Sequence, residues 1–169
     1  MTDGDYFRHS HDAELQEAPF QYKRCGLDNI YLLNGFEITH EDDGERYVTV
    51  LDVDGLHKAI GIHLVSMRKT LSPKEIRFLR KTLNLTQAEM GRLISQSPQQ
   101  VARWEKGENN INGPADRLLR LMFLYTLHQA EEKQELPMEF LERLDELDAL
   151  PDDKMEFCNN GEDWLEKAA

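Results

Sequence analysis

LSPKEIRFLRKTLNLTQAEMGRLISQSPQQVARWEKG, residues 71–107, is the stretch on which the fold turns. Its local chemistry predicts three short helices. Ser72 precedes Pro73 and has Glu75 three positions on: an N-cap, a first-turn proline and a capping-box partner. The helix they start, Pro73 to about Thr82, carries Ile76, Leu79 and Leu83 on one apolar stripe. Thr86 and Glu89 repeat the capping box, and Ala88, Met90, Leu93 and Ile94 are expected on the buried side of the second helix. Ser95 and Gln96 leave room only for a tight turn. Ser97 then caps a third helix, 98–106, with Pro98 in its first turn, Val101 and Trp104 facing inward and Gly107 as the stop.

That packing leaves Gln99, Gln100 and Arg103 facing outward. Glutamine can pair with adenine through N6 and N7, and arginine with guanine through O6 and N7, when a helix lies in the major groove. The start of the second helix, with Gln87, suits a phosphate, because free N–H groups and the helix dipole attract anions there. A small helical subdomain with a polar surface would share the composition. The spacing of two capped helices about a very short turn favours DNA binding.

TQAEMGRLISQSPQQVARWEKG resembles the core of the Xre-type, lambda-repressor-like helix-turn-helix, whose pattern is roughly TQxELAxxxGxSxxxVxxWExG. Thr86, Gln87, Glu89, Ser97, Val101, Trp104, Glu105 and Gly107 fall on it. Gly91 stands where the family usually has alanine, and Ser95 where it usually has the turn glycine, so Ser95 is expected to accept a positive φ or to alter the turn. The resemblance implies base or phosphate contacts from Gln87, Ser97, Gln99, Gln100 and Arg103, with Lys106 among the neighbouring cations. More widely, residues 71–90 and GPADRLLRLM look like the C-terminal half of MqsA/YgiT-type regulators, some of them antitoxins. That family often carries paired CxxC zinc motifs, which this sequence lacks.

The chain has 169 residues and a formal charge of -12, which at first sight argues against nucleic acid. The charge is unevenly spread. Residues 68–120 hold 11 Lys+Arg against 5 Asp+Glu, a net of +6, whereas 1–67 carry -8 and 121–169 carry -10. Phosphate responds to potential within about one Debye length, ~8–10 Å, so the central block decides. The acidic flanks leave surface for a basic partner, such as a nucleic-acid-cleaving toxin. No apolar run approaches the ~18 residues of a membrane span. The polar, acidic N-terminus is unlike a secretory signal, and Cys25 and Cys158 match no zinc or disulfide framework; a cytoplasmic protein is expected.

Residues 1–19 lack periodicity and are expected to be a disordered acidic tail. His9 and His11 there could ligate a metal, but two histidines in such a tail are more often incidental, and no metal site is expected. Ile30–Leu33, FEITH at 36–40 and RYVTVLDV at 46–53 read as strands of a two- or three-stranded antiparallel sheet, with Asn34-Gly35 as turn. Residues 54–67 supply Leu56, Ile60, His63, Leu64 and Met67 at helical spacing as its cover. His57 and His63 read as core or surface histidines. After the polar loop 108–113, Pro114 begins a helix with Leu118, Met122 and Tyr125 on one face and Leu121 and Leu124 beside it, broad enough to engage a second copy. Arg117 and Arg120 are set either for phosphate or for solvent. Pro137 opens a fifth helix ending before Pro151. The acidic tail 151–169 docks through Phe157, Trp164 and Leu165, or frays.

The expected architecture is α+β: a small N-terminal antiparallel sheet with a helix (20–69), then a five-helix lambda-repressor-like DNA-binding domain (70–150). The expected function is sequence-specific transcriptional regulation, as a repressor and homodimer on double-stranded DNA, with no catalytic machinery, metal or cofactor. The rivals are an antitoxin that binds a toxin and represses its own operon, and an adaptor that has lost DNA binding.

Overall fold

The computed structural model describes residues 19–40, 45–68, 70–131 and 155–167. The tail 1–18, the acidic loop around Gly44 and the helix from Pro137 lie outside the described residues. The elements run β1 (Phe20–Gln21), β2 (Ile30–Leu32), β3 (Phe36–His40), β4 (Arg46–Val50), α1 (Val53–Met67), α2 (Pro73–Thr82), α3 (Gln87–Leu93), α4 (Pro98–Lys106), α5 (Gly113–Glu131), β5 (Met155–Asn159) and β6 (Trp164–Glu166). The class is α+β. Two compact units divide it, residues 1–59 with 152–169 and residues 60–151. The division falls inside α1 rather than after it, at 69. Among the described residues no helix is long and apolar enough to cross a membrane.

The first unit holds a four-stranded sheet of order β1-β2-β5-β6 and a separate β3-β4 hairpin. Strand β2 alternates, with Ile30 and Leu32 fully buried about a half-buried Tyr31. It pairs antiparallel with β1 and parallel with β5, and β5 pairs antiparallel with β6. The segment expected as an acidic tail instead supplies half of this sheet. Its apolar residues follow a period-two pattern, with Met155 and Phe157 inward on β5. A two-stranded pair such as β1-β2 is marginal by itself, and β5 gives β2 its second neighbour.

Asn34-Gly35 does not make a hairpin between β2 and β3. Gly35 does adopt a positive φ of 72°, but the chain passes from one sheet to the other there. The Asn34 amide is spent on β5: it donates to Asn159 O at 3.0 Å and accepts from Asn159 N at 2.7 Å. A Cβ on Gly35 would meet the Trp164 ring at 2.6 Å, so the glycine also makes room for that indole. Trp164 Nε1 donates to Asp52 O at 3.1 Å, and the same carbonyl accepts the Leu56 N–H in the first turn of α1. On that turn's face His57 Nε2 lies 3.1 Å from the Tyr22 hydroxyl, and burial pushes the imidazole pKa below its ordinary value despite Asp54 nearby.

The second unit begins with the later turns of α1, where Ile60, Leu64 and Val65 are buried. Helix α5 approaches so closely that a Cβ on Gly61 would strike the Phe123 ring. The buried stripe of α5 is Ala115, Leu119 and Phe123, i, i+4, i+8, rather than the stripe expected; Leu118 and Tyr125 are exposed and Met122 is partly so. Arg120 is fully buried, not set for phosphate or solvent. It donates to Asp116 at 2.8 Å and to the Val65 carbonyl at 2.9 Å, which satisfies the open C-terminal end of α1. Arg68 and Glu75 form a second buried pair at 3.4 Å.

Candidate nucleic-acid interface

Local chemistry sets each helix end here. Ser72 and Thr86 both form complete capping boxes, with Glu75 and Glu89. Ser97 Oγ accepts from Gln100 N at 3.1 Å behind Pro98. The three helices stop in the same way. One residue takes a left-handed conformation (Asn84 at φ 55°, Ser95 at 55°, Gly107 at 75°). The next N–H then reaches back across the last turn, from Leu85 to Arg80 O, Gln96 to Gly91 O and Glu108 to Arg103 O. Ser95 therefore adopts the positive φ that the turn between α3 and α4 requires. Gly91 matches it: a Cβ there would lie 2.6 Å from the Gln96 carbonyl, so the turn backbone sits directly on α3.

The core beneath is narrower than expected. Met90 and Ile94 are buried with Gly91, but Ala88 and Leu93 are exposed. A helix of seven residues buries one strip, and Leu93 is turned about 100° from Ile94. Val101 and Trp104 are buried as expected, at 0% and 1% exposure. The Trp104 indole N–H has no hydrogen-bond acceptor among the described residues, so this ring anchors α4 by apolar packing alone.

Of the residues proposed for DNA, Ser97, Gln99, Arg103 and Lys106 are exposed and Gln100 is half-buried, all on α4 or its cap. Gln87 stands apart. Its Nε2 donates to Glu105 Oε2 at 2.9 Å, and Arg80 grips the same carboxylate through Nε at 2.5 Å and Nη2 at 3.0 Å. Arg80 Nη1 also donates to Leu85 O at 2.7 Å. One carboxylate thus joins α2, α3 and α4. The Glu105 side chain is 4% exposed. Burial pushes its pKa up, but the hydrogen bonds from Arg80 and Gln87 outweigh this and hold the net value below the usual carboxylate range. Glu105 lies on the motif, but its junction with Arg80 and Gln87, 25 and 18 residues away, has no signature in local spacing.

The charge of the block 68–120 is sorted by the fold. Arg68, Arg80 and Arg120 pair internally with Glu75, Glu105 and Asp116. Those pairs cancel, and the net +6 is left to the remaining side chains. Among the described residues these are exposed Lys74, Arg77, Lys81, Arg92, Arg103, Lys106 and Arg117 against exposed Glu89 and Glu108. These exposed side chains give the block a net positive charge, which favours a polyanion. Among the described residues no three His, Cys, Asp or Glu gather as metal ligands.

Against the known families, residues 76–114 match the helix-turn-helix model. This segment is a DNA-binding helix-turn-helix. The match spans α2 to the start of α5 and includes Gln87, Ser97, Gln99, Gln100, Arg103 and Lys106. No curated protein and no solved structure matches the chain. Chemically, this helix-turn-helix offers two amides and a guanidinium for base edges on α4, with cations on the neighbouring helices for phosphate.

Proposed function

We propose that the protein is a sequence-specific transcriptional repressor that reads the major groove with α4, residues 98–106. Gln99, Gln100 and Arg103 address base edges, while Ser97, Lys106 and the α3 N-terminus address phosphates. Gln87 is held by Glu105 and acts beside that N-terminus as an oriented donor. The observation that carries the reading is the exposure of Gln99 and Arg103 on a helix anchored from behind by Val101 and Trp104. A homodimer is the natural assembly, because one short helix reads few base pairs and two copies about one DNA turn apart, ~34 Å, double the site. The exposed Leu118 and Tyr125 on α5 are candidates for that contact. The protein is cytoplasmic in this reading and works by binding, not by catalysis. Selection of bound duplexes from random DNA tests it: a two-fold symmetric site should be enriched, and recovery of a random pool would reject it.

A second reading is favoured by charge. The flanking segments carry -8 and -10, and a small basic toxin would find complementary surface there. The protein would then be an antitoxin that also represses its own operon, in keeping with the MqsA/YgiT-like resemblance. Co-purification of a basic partner encoded beside it would support this; a stable, partner-free repressor would not.

A further inference from the structure

Four of the five carboxylates in the block 68–120 have a task in the fold. Glu75, Glu105 and Asp116 pair with internal arginines, and Glu89 closes the α3 capping box. Glu108 is placed differently. It follows the C-terminus of α4, the end of a helix whose partial negative charge disfavours a carboxylate. Its backbone N–H completes the helix stop by donating to Arg103 O at 2.9 Å, a task that its side chain does not share. The side chain, 52% exposed, instead lies between two cations of the interface. Oε2 is 3.9 Å from Arg103 Nε, and Oε1 is 3.9 Å from Lys106 Nζ.

We propose that Glu108 is a specificity-determining residue: an internal stand-in for phosphate that weakens the hold of Arg103 and Lys106 on the DNA backbone and leaves base contacts to decide where the protein stays. This rests on α4 being the helix that meets DNA. Both pairs are long and solvent-exposed, so they open readily and do little for the fold. Their effect falls on binding. Attraction to phosphate is independent of sequence and grows with the number of phosphates neutralised. A carboxylate shared by two cations subtracts from that number on every sequence. On a matching site, Arg103 exchanges a loose ion pair for a two-pronged contact with guanine, and the exchange remains favourable. On random DNA it receives only another anion.

The test compares wild type, E108Q, E108D, R103A and R103A/E108Q on a short mixed-sequence duplex across a salt series. E108Q should bind roughly three- to tenfold more tightly at low salt, with the slope of log affinity against log salt steeper by about one. E108D, which keeps the charge, should stay near wild type. Set against R103A alone, the gain from E108Q should shrink. Wild-type affinity and slope in E108Q, or an equal gain in E108D, overturns the role of Glu108 while leaving DNA binding intact. Failure of both wild type and E108Q to bind at any salt overturns it together with the reading of α4.

Discussion

The helical unit closes each of α2, α3 and α4 with atoms from the adjoining turns, whereas the sheet unit assembles β2 from partners at opposite ends of the sequence. In the first, caps, stops and turn lie within a few residues of the helices they define. In the second, Ile30 lies opposite Met155 and Asn34 bonds to Asn159, 125 residues on. Local contacts form at little loop-closure cost; distant ones carry it and repay it only once the sheet is complete. The two units should therefore fail under different insults. The indole N–H resonances of Trp104 and Trp164 report on them separately.

The largest contrast is expected from Phe157→Ala. Phe157 is fully buried on β5, opposite Leu32. Its loss should cost about 3–5 kcal/mol and bring the Trp164 signal to its midpoint at markedly lower denaturant. An equal shift of the Trp104 signal would break the comparison. Gly91→Ala probes the other unit. Its methyl would press on the Gln96 carbonyl, so a loss of about 1–3 kcal/mol in the melting of the helical unit is expected. An unchanged Tm would show that the turn is not seated as described.

Acid should separate the units more gently. Burial holds the folded His57 pKa below the ordinary 6.5, so the unfolded chain takes up that proton first. The associated stability is whole above about pH 6.5 and is lost as pH falls toward the lowered folded value. Glu105 behaves later in the titration. With its folded pKa held below the ordinary 4.5 by Arg80 and Gln87 against the opposing effect of burial, its contribution persists above that range and is lost only as pH falls through the lowered value. The Trp164 resonance should therefore respond to mild acid before that of Trp104, and His57→Phe should reduce the lag. The smallest effect is Ser95→Gly. Relief of a left-handed serine at φ 55°, partly offset by glycine's greater freedom when unfolded, should raise stability by about 0.5 kcal/mol.

The same contrast explains what was legible in the sequence. The start of helix 73–82 and both ends of helix 98–106 could be read closely because Ser72, Pro73, Ser97, Pro98 and Gly107 act on their own neighbours. The exposed face of α4 followed from the positions of Val101 and Trp104. What required the whole fold could not be read. The strand character of 155–159 is a five-residue alternation inside an acidic tail, and only β2 gives it meaning. Asn34-Gly35 carries a strong turn signal, yet its amide and its missing Cβ serve Asn159 and Trp164. Arg120 sits in a helix rich in leucine and looks like a surface cation, but the open end of α1 and Asp116 take it inside. Gln87 and Glu105 lie on the motif, and their union through Arg80 depends on how three helices meet.

The central claim is that Arg103 on α4 distinguishes bases. Once a bound site has been selected, the affinity of Arg103→Ala should be measured on that site and on a scrambled duplex at the same salt. A loss of about 1–3 kcal/mol on the selected site, with a much smaller loss on the scrambled one, is the predicted result. Equal losses on the two duplexes would make Arg103 a phosphate contact and contradict the account.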